Sequence, residues 1–260
     1  MAESTLTLTF DDIANEVAIM LGMARTRALR SDDEDADVDQ CVHDGYMQFL
    51  TPPWEDAGLI PRKWTFLRLD TTLTMTADEE TSDCPEDFAC LLAHTLHYTD
   101  SDTGPFHGIK VRSGDEIRSY YQEDDDYSDD PAWCVVRPKA FTAATGQRYE
   151  VRWYPVTDTA HVVSFPYLAI PAEGSSTNYM QGGALHTQTL VASCRAVAER
   201  KFNDEVGKEW IHFLSCLRAS HDLDSSNSPT NLGNYRDYGP PDRHGRRSGI
   251  VHGNADTTYS

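Results

Sequence analysis

The chain has no apolar run near the roughly 20 residues that a membrane-crossing helix needs, so no membrane contact is expected. Its opening, MAESTLTLTFDD, has no basic region ahead of an apolar stretch, so no signal peptide is expected and the product is read as soluble and made in the cytoplasm. Basic residues are scarce: 22 Lys and Arg stand against 42 Asp and Glu, a net charge of -20. A field of that sign excludes nucleic-acid binding through general electrostatics, because phosphate contacts need clustered Lys and Arg. The six cysteines (Cys41, Cys84, Cys90, Cys134, Cys194 and Cys216) never form a CxxC pair. They read as reduced, structural, small hydrophobes. GxSxG, a P-loop and a GxGxxG after a strand are missing too. Hydrophobic residues make up only 39% and the mean hydropathy is -0.53. A good part of the chain therefore belongs in loops, tails or subunit contacts.

What is present is strong local periodicity. Thr9 followed by Asp12 has the logic of a reciprocal helix cap. Ile13, Val17, Met20 and Leu21 then form an apolar stripe that Gly22 can stop. A second helix begins within the acidic run Asp32, Asp33, Glu34, Asp35, Asp37 and Asp39, and carries Val38, Cys41, Val42, Gly45 and Phe49 at helical spacing. Thr51-Pro52-Pro53 ends it. A β region opens near Lys63, where Leu67, Leu69, Thr71, Leu73 and Met75 alternate. Pro85 suits the first turn of a short helix through His97. Residues 98–131 read as turn-rich and acidic, residues 132–137 as a strand, and Thr145-Gly146 as a turn.

Residues 148–171, RYEVRWYPVTDTAHVVSFPYLAIP, alternate strictly on both sides of a short turn and read as a two-sided hairpin. Pro155 and Pro166 push their positions toward an edge or a strand end. After a connector at 174–183 the period turns helical, through Leu190, Cys194, Val197 and Ala198, then Val206, Trp210, Phe213, Leu214 and Leu217, with Gly207 as a break. Residues 225–260 are rich in Gly, Asn, Pro and Ser, poor in aliphatics, and carry four arginines. Taken alone they read as a disordered terminus, the alternative being an arm that folds on a partner with its arginines pairing to the partner's carboxylates.

The expected fold class is α+β. N- and C-terminal helices form a helical bundle around a central antiparallel β-sandwich or barrel-like domain, and an extended C-terminal arm follows. The expected units are a helical hairpin at 1–60, a β domain at 61–173, helices at 174–224 packing on the first pair, and the arm at 225–260.

Candidates for chemistry are few. His94 and His97 are spaced to share a helix face as metal ligands, but no convincing third ligand is near. Asp100–Gly104 begins like a calcium loop and lacks the glycine at position six and the closing glutamate. Cys–His nucleophilic pairing has no local signature. The five tryptophans read as core or interface anchors rather than base-stacking platforms. No catalytic residue, metal ligand or cofactor is assigned.

Together these pieces resemble the head-to-tail adaptor (connector, or head-completion) proteins of tailed bacteriophages. FDDIANEVAIMLG and the helix over 38–50 resemble the family's two N-terminal helices, and Lys63-Trp64-Thr65-Phe66-Leu67 its W-x-F element. Cys84-Pro85-Glu86-Asp87-Phe88 resembles its Leu-Pro-x-Asp-Phe turn, with Cys84 in place of Leu. Residues 148–171 resemble its paired strands around a Tyr-Pro turn, and residues 184–224 its C-terminal helices. The likeness spreads over residues 9–224 without any single diagnostic motif.

The resemblance implies a virion protein of the neck: a ring of about twelve copies docked on the portal protein and holding a tail tube, nozzle or stopper protein. Double-stranded DNA would pass through it without sequence-specific binding. It implies a portal-binding arm carrying Tyr235, Arg236, Tyr238, Arg243, Arg246 and Arg247. Asp32, Asp33, Glu34, Asp35, Asp124, Asp125 and Asp126 become candidates for channel-lining or exposed acidic loops, whose bland reading is a solvated surface. Trp210, Phe213 and Leu217 become candidates for subunit packing. The alternatives are another neck or tail component (stopper or tail-tube protein), a metal-dependent hydrolase using His94 and His97, and an acidic protein-binding module.

Overall fold

Thr9 starts the first helix as its sequence suggests. Its hydroxyl accepts from the Asp12 N–H, and Asp12 accepts from the Thr9 N–H, so two otherwise unpaired donors of α1 (Phe10–Met20) are satisfied. Ser31 and Glu34 repeat the device at α2 (Asp32–Leu50). The structure, a computed structural model, describes residues 6–99, 108–123, 128–171, 174–203 and 206–227. Among these residues the fold is α+β, with five helices and a nearly closed mixed sheet.

The two C-terminal helices are α4 (Gly183–Asn203) and α5 (Lys208–Asn227). Helix α4 packs against α1, α2 and α5. Small residues set this spacing. A Cβ on Gly45 of α2 would stand 2.4 Å from the Cys194 Cα of α4, so only glycine allows the crossing. Ser193 donates to the Gly45 carbonyl at 2.8 Å beside it. At the α4–α5 turn the Glu199 carboxylate lies against Gly207 and accepts from the Glu209 N–H at 2.9 Å, so one helix caps the next. The helical core continues into Trp64, whose indole N–H donates to the Phe49 carbonyl at 2.8 Å and whose ring stacks with Phe49 and Phe66.

A second core is built by strands: β1 (Arg68–Met75), β2 (Thr81–Asp83), β3 (Phe88–Leu91), β4 (Thr95–Tyr98), β5 (Ile109–Val111), β6 (Trp133–Pro138), β7 (Tyr149–Tyr154) and β8 (His161–Ala169). Their order is β1-β8-β4-β5-β6-β7-β2, with β3 also on β8. Trp153, Phe165, Ile109, Leu96 and Met75 fill the interior. The sheet almost closes, because the Ser82 hydroxyl of β2 donates to the Thr74 carbonyl of β1 at 3.1 Å. Helix α3 (Gly114–Glu123) lies outside, with Tyr120 against Trp133 and Tyr154.

Several expectations are corrected. Residues 148–171 form β7 and β8 but not a hairpin: β7 pairs with β6 and β2, while β8 pairs with β1, β3 and β4. Alternation sets which face a residue takes and leaves the partner strand open. The sheet is mixed rather than antiparallel, since β5 and β6 run parallel. The short helix expected through His97 is instead β3 and β4, laid end to end along one edge of β8. Burial decides this: Phe88 and Leu96 fill the strand core, and the Tyr167 hydroxyl donates to Asp87 at 3.0 Å. The span 98–131 contains β5 and α3, and α3 starts with a Ser113–Glu116 reciprocal cap whose pattern is plain in the sequence.

Pro166 sits in mid-sheet rather than at an edge. Its carbonyl accepts from the Leu92 N–H, so its missing donor faces the place where β3 has ended and β4 has not begun. The β1 side of β8 loses nothing. The last helix runs to Asn227, past the boundary expected at 225, and the arm lies outside the described residues. Among the described residues no helix is long and apolar enough to cross a membrane.

Candidate functional site

Helix α5 buries Phe213, Leu217, Ser220 and Asp224, a 4-3-4 stripe that faces the helical core. This corrects two of the three subunit-packing candidates. Phe213 and Leu217 are 0% exposed within their own chain and have no surface to offer a neighbour. Trp210 is half-buried, with its ring 5.7 Å from that of Phe213. The apolar surface at this end is instead Phe202, Val206 and Ile211, which are 41%, 68% and 69% exposed around the α4–α5 turn. Sequence reading assigned Val206 to the buried stripe and passed over the other two. Their signal was phase: Ile211 falls between successive members of the buried row.

The acidic start of α2 divides into two sets. Glu34 is committed to the cap, and hydrogen bonds from the Ser31 backbone and hydroxyl hold its carboxyl below the ordinary range. Asp35 meets Arg30 at 2.6 Å, and the Arg30 side chain is fully buried, reaching back to Asn15 of α1. Arg27 gathers Asp11, Asp35 and Asp39. Glu34 and Asp35 thus hold the α1–α2 connection together. Asp32 and Asp33 remain as exposed charges in the first helical turn, where they also suit the helix dipole. Asp124, Asp125 and Asp126 lie outside the described residues, as do Asp100–Gly104 and the arm residues Tyr235, Arg236, Tyr238, Arg243, Arg246 and Arg247.

The base of the arm is held by a buried charge. Asp224, 1% exposed, accepts from the Thr65 N–H at 3.2 Å and from its hydroxyl, and meets Arg62 at 3.0 Å. Arg62 also donates to the His221 carbonyl and to the Ser225 hydroxyl. This clamp fixes the end of α5 beside the start of β1. His186 sits nearby among Phe49, Trp64 and Phe66, and burial pushes its imidazole below the ordinary value.

No reaction centre assembles from the sequence candidates among the described residues. His94 and His97 are exposed, one before and one within β4, and among the described residues no group of three or more His, Cys, Asp or Glu is placed to hold a metal. Cys216 approaches His212 at 3.6 Å, but burial pushes its thiol up, the opposite of an activated thiolate. Burial likewise pushes Cys84 and Cys134 up to about 12. The buried His161 meets the half-exposed Asp130 at 2.9 Å, with its ring edge-on to that of Tyr98, whose hydroxyl donates to the Pro131 carbonyl. It ties the 128–131 segment to β8. Apart from these, the surface offers an apolar tip, exposed acids and ladders of cross-strand ion pairs such as Arg152–Glu80 and Arg137–Glu150. No protein-family model matches this chain, and no curated protein matches it.

Proposed function

We propose that this chain is a structural subunit of a tailed-phage neck: a head-to-tail adaptor that assembles as a ring of about twelve copies in the virion. The observation that carries the reading is the apolar tip of Phe202, Val206 and Ile211 on a chain of net charge -20. An acidic chain repels its own copies, so self-association calls for an apolar, weakly charged surface. In this reading α1, α2, α4 and α5 serve as the bundle at the portal, and the sheet serves as the β domain facing the tail tube, nozzle or stopper. Asp32 and Asp33 face the duplex and let it slide. The arm at Tyr235–Arg247 reaches the portal.

The test is to mix the full chain with the portal protein of its phage and image the product. Rings bound to the portal are expected, and Ile211→Asp should abolish ring closure while leaving the monomer folded. A chain that stays monomeric at every portal concentration ends the reading.

A further inference from the structure

We propose that the outer edge of β1 is a self-pairing site, taken by β1 of a second copy of this chain in a two-fold antiparallel strand pair. The register shows which backbone groups are open. Leu92 donates to Pro166 and Thr99 donates to Val162, so the even-numbered residues of β8 turn their N–H and C=O toward β3 and β4. The odd-numbered ones turn toward β1, where they meet Leu69, Thr71, Leu73 and Met75. Arg68, Asp70, Thr72 and Thr74 therefore point their backbone groups away from β8. Strand β2 reaches this edge at Thr74, whose carbonyl accepts from Ser82. Ahead of that point, Arg68, Asp70 and Thr72 face an edge that carries no strand among the described residues. An open row of N–H and C=O groups is a template for another strand.

Charge selects the occupant. Arg68 and Asp70 are both exposed and share one face of the strand. Among the described residues neither has an ion-pair partner, whereas Arg137 and Arg152 on the same sheet each hold a glutamate. A two-fold axis through Leu69 sets Arg68 of each copy directly opposite Asp70 of the other. The backbone agrees with this register, because both residues are turned outward and can exchange N–H and C=O as a hydrogen-bonded pair, with Cα atoms about 5.5 Å apart. Leu69, 38% exposed, then meets the second copy's Leu69 on the opposite face. The neighbouring registers fail on the same residues. An axis through Asp70 opposes two aspartates, and an axis through Arg68 opposes two arginines. An axis through Thr71 sets Arg68 against Thr74, whose carbonyl already holds Ser82. On a chain of net charge -20, a cation and an anion in self-complementary order let two copies meet without added repulsion. This inference stands apart from the adaptor reading: the contact closes at two copies and uses none of Phe202, Val206 and Ile211.

The test is sedimentation equilibrium of the full chain over a wide concentration range, native against charge variants at these exposed positions. The native chain should show a monomer–dimer equilibrium. Asp70→Arg sets like charges opposite each other on both sides of the axis and should weaken the dimer by about ten-fold or more. Arg68→Asp should do the same. The double variant, Arg68→Asp with Asp70→Arg, keeps every facing pair opposite in sign and should return the dimer to within about three-fold of native. Ile211→Asp should leave it intact, which separates this contact from the ring. A native chain that stays monomeric throughout, a dimer unmoved by Asp70→Arg, a double variant no better than the single ones, or a dimer lost with Ile211→Asp overturns the proposal.

Discussion

The helical and strand parts both bury large aromatics, but they bring their elements together differently. The helical core combines a close crossing of small residues, Gly45 against Cys194, with large aromatics such as Phe49, Trp64 and Phe213. The strand core is made of large side chains, with Trp153, Phe165, Phe88 and Tyr167 spanning between strands that are far apart in sequence. Charge follows the same division. Around α1 and α2 the ion pairs converge on two arginines, Arg27 and Arg30, while on the sheet they run one to one across neighbouring strands. The difference teaches that a helix is announced within a short window while a strand's partners are not, although both cores join segments far apart in sequence.

The strongest way to break the comparison is Trp153→Ala. It empties the strand core and removes the indole bond to Ser82, which should cost that part about 3–5 kcal/mol. If the cores are separate units, near-ultraviolet signals from the sheet should melt first while helical circular dichroism persists. A single coincident transition would merge the two. Asp224→Ala tests the joint between them. It strands Arg62 and the Thr65 N–H and should cost about 3 kcal/mol in denaturant unfolding, lowering both transitions.

Within the helical part, Ser31→Ala should cost about 1 kcal/mol through loss of the cap. Asp33→Asn should stay within about 0.5 kcal/mol. Equal effects would show that Asp33 is not a spare charge. The smallest effect is in pH. Burial holds His186 below its ordinary value, so as pH falls below about 6.5 the unfolded chain takes up a proton that the folded one refuses. Stability should decline from pH 7 to 5.5, and His186→Phe should flatten that part of the slope.

How much was legible follows from the same division. Thr9–Asp12, Val38–Phe49 and the stripe through Phe213 and Leu217 announced their helices, because caps and a 3.6-residue period lie within a few turns. Strand faces were legible in 148–171, and strand partners were not: β8 draws on β1, β3 and β4, whose paired residues lie 65 to 100 positions earlier. Pro85 suggested a helix because its neighbours were read without the β8 edge that receives them. For the candidate site, periodicity found the buried row of α5 and so pointed to residues that a neighbour cannot touch. The exposed acids were legible as a cluster, but the commitment of Asp35 to Arg30 depends on a turn that only the folded chain reveals.

The place of β8 in the chain bears on synthesis. It is the strand on which β1, β3 and β4 all assemble, and α4, the helix that α1 and α2 pack against, emerges later still. On the ribosome the strand core cannot close until β8 has emerged, nor the helical core until α4 has. The first 160 residues, which must wait, carry -19 of the total of -20. Like charge keeps those waiting nascent segments apart until their partners arrive.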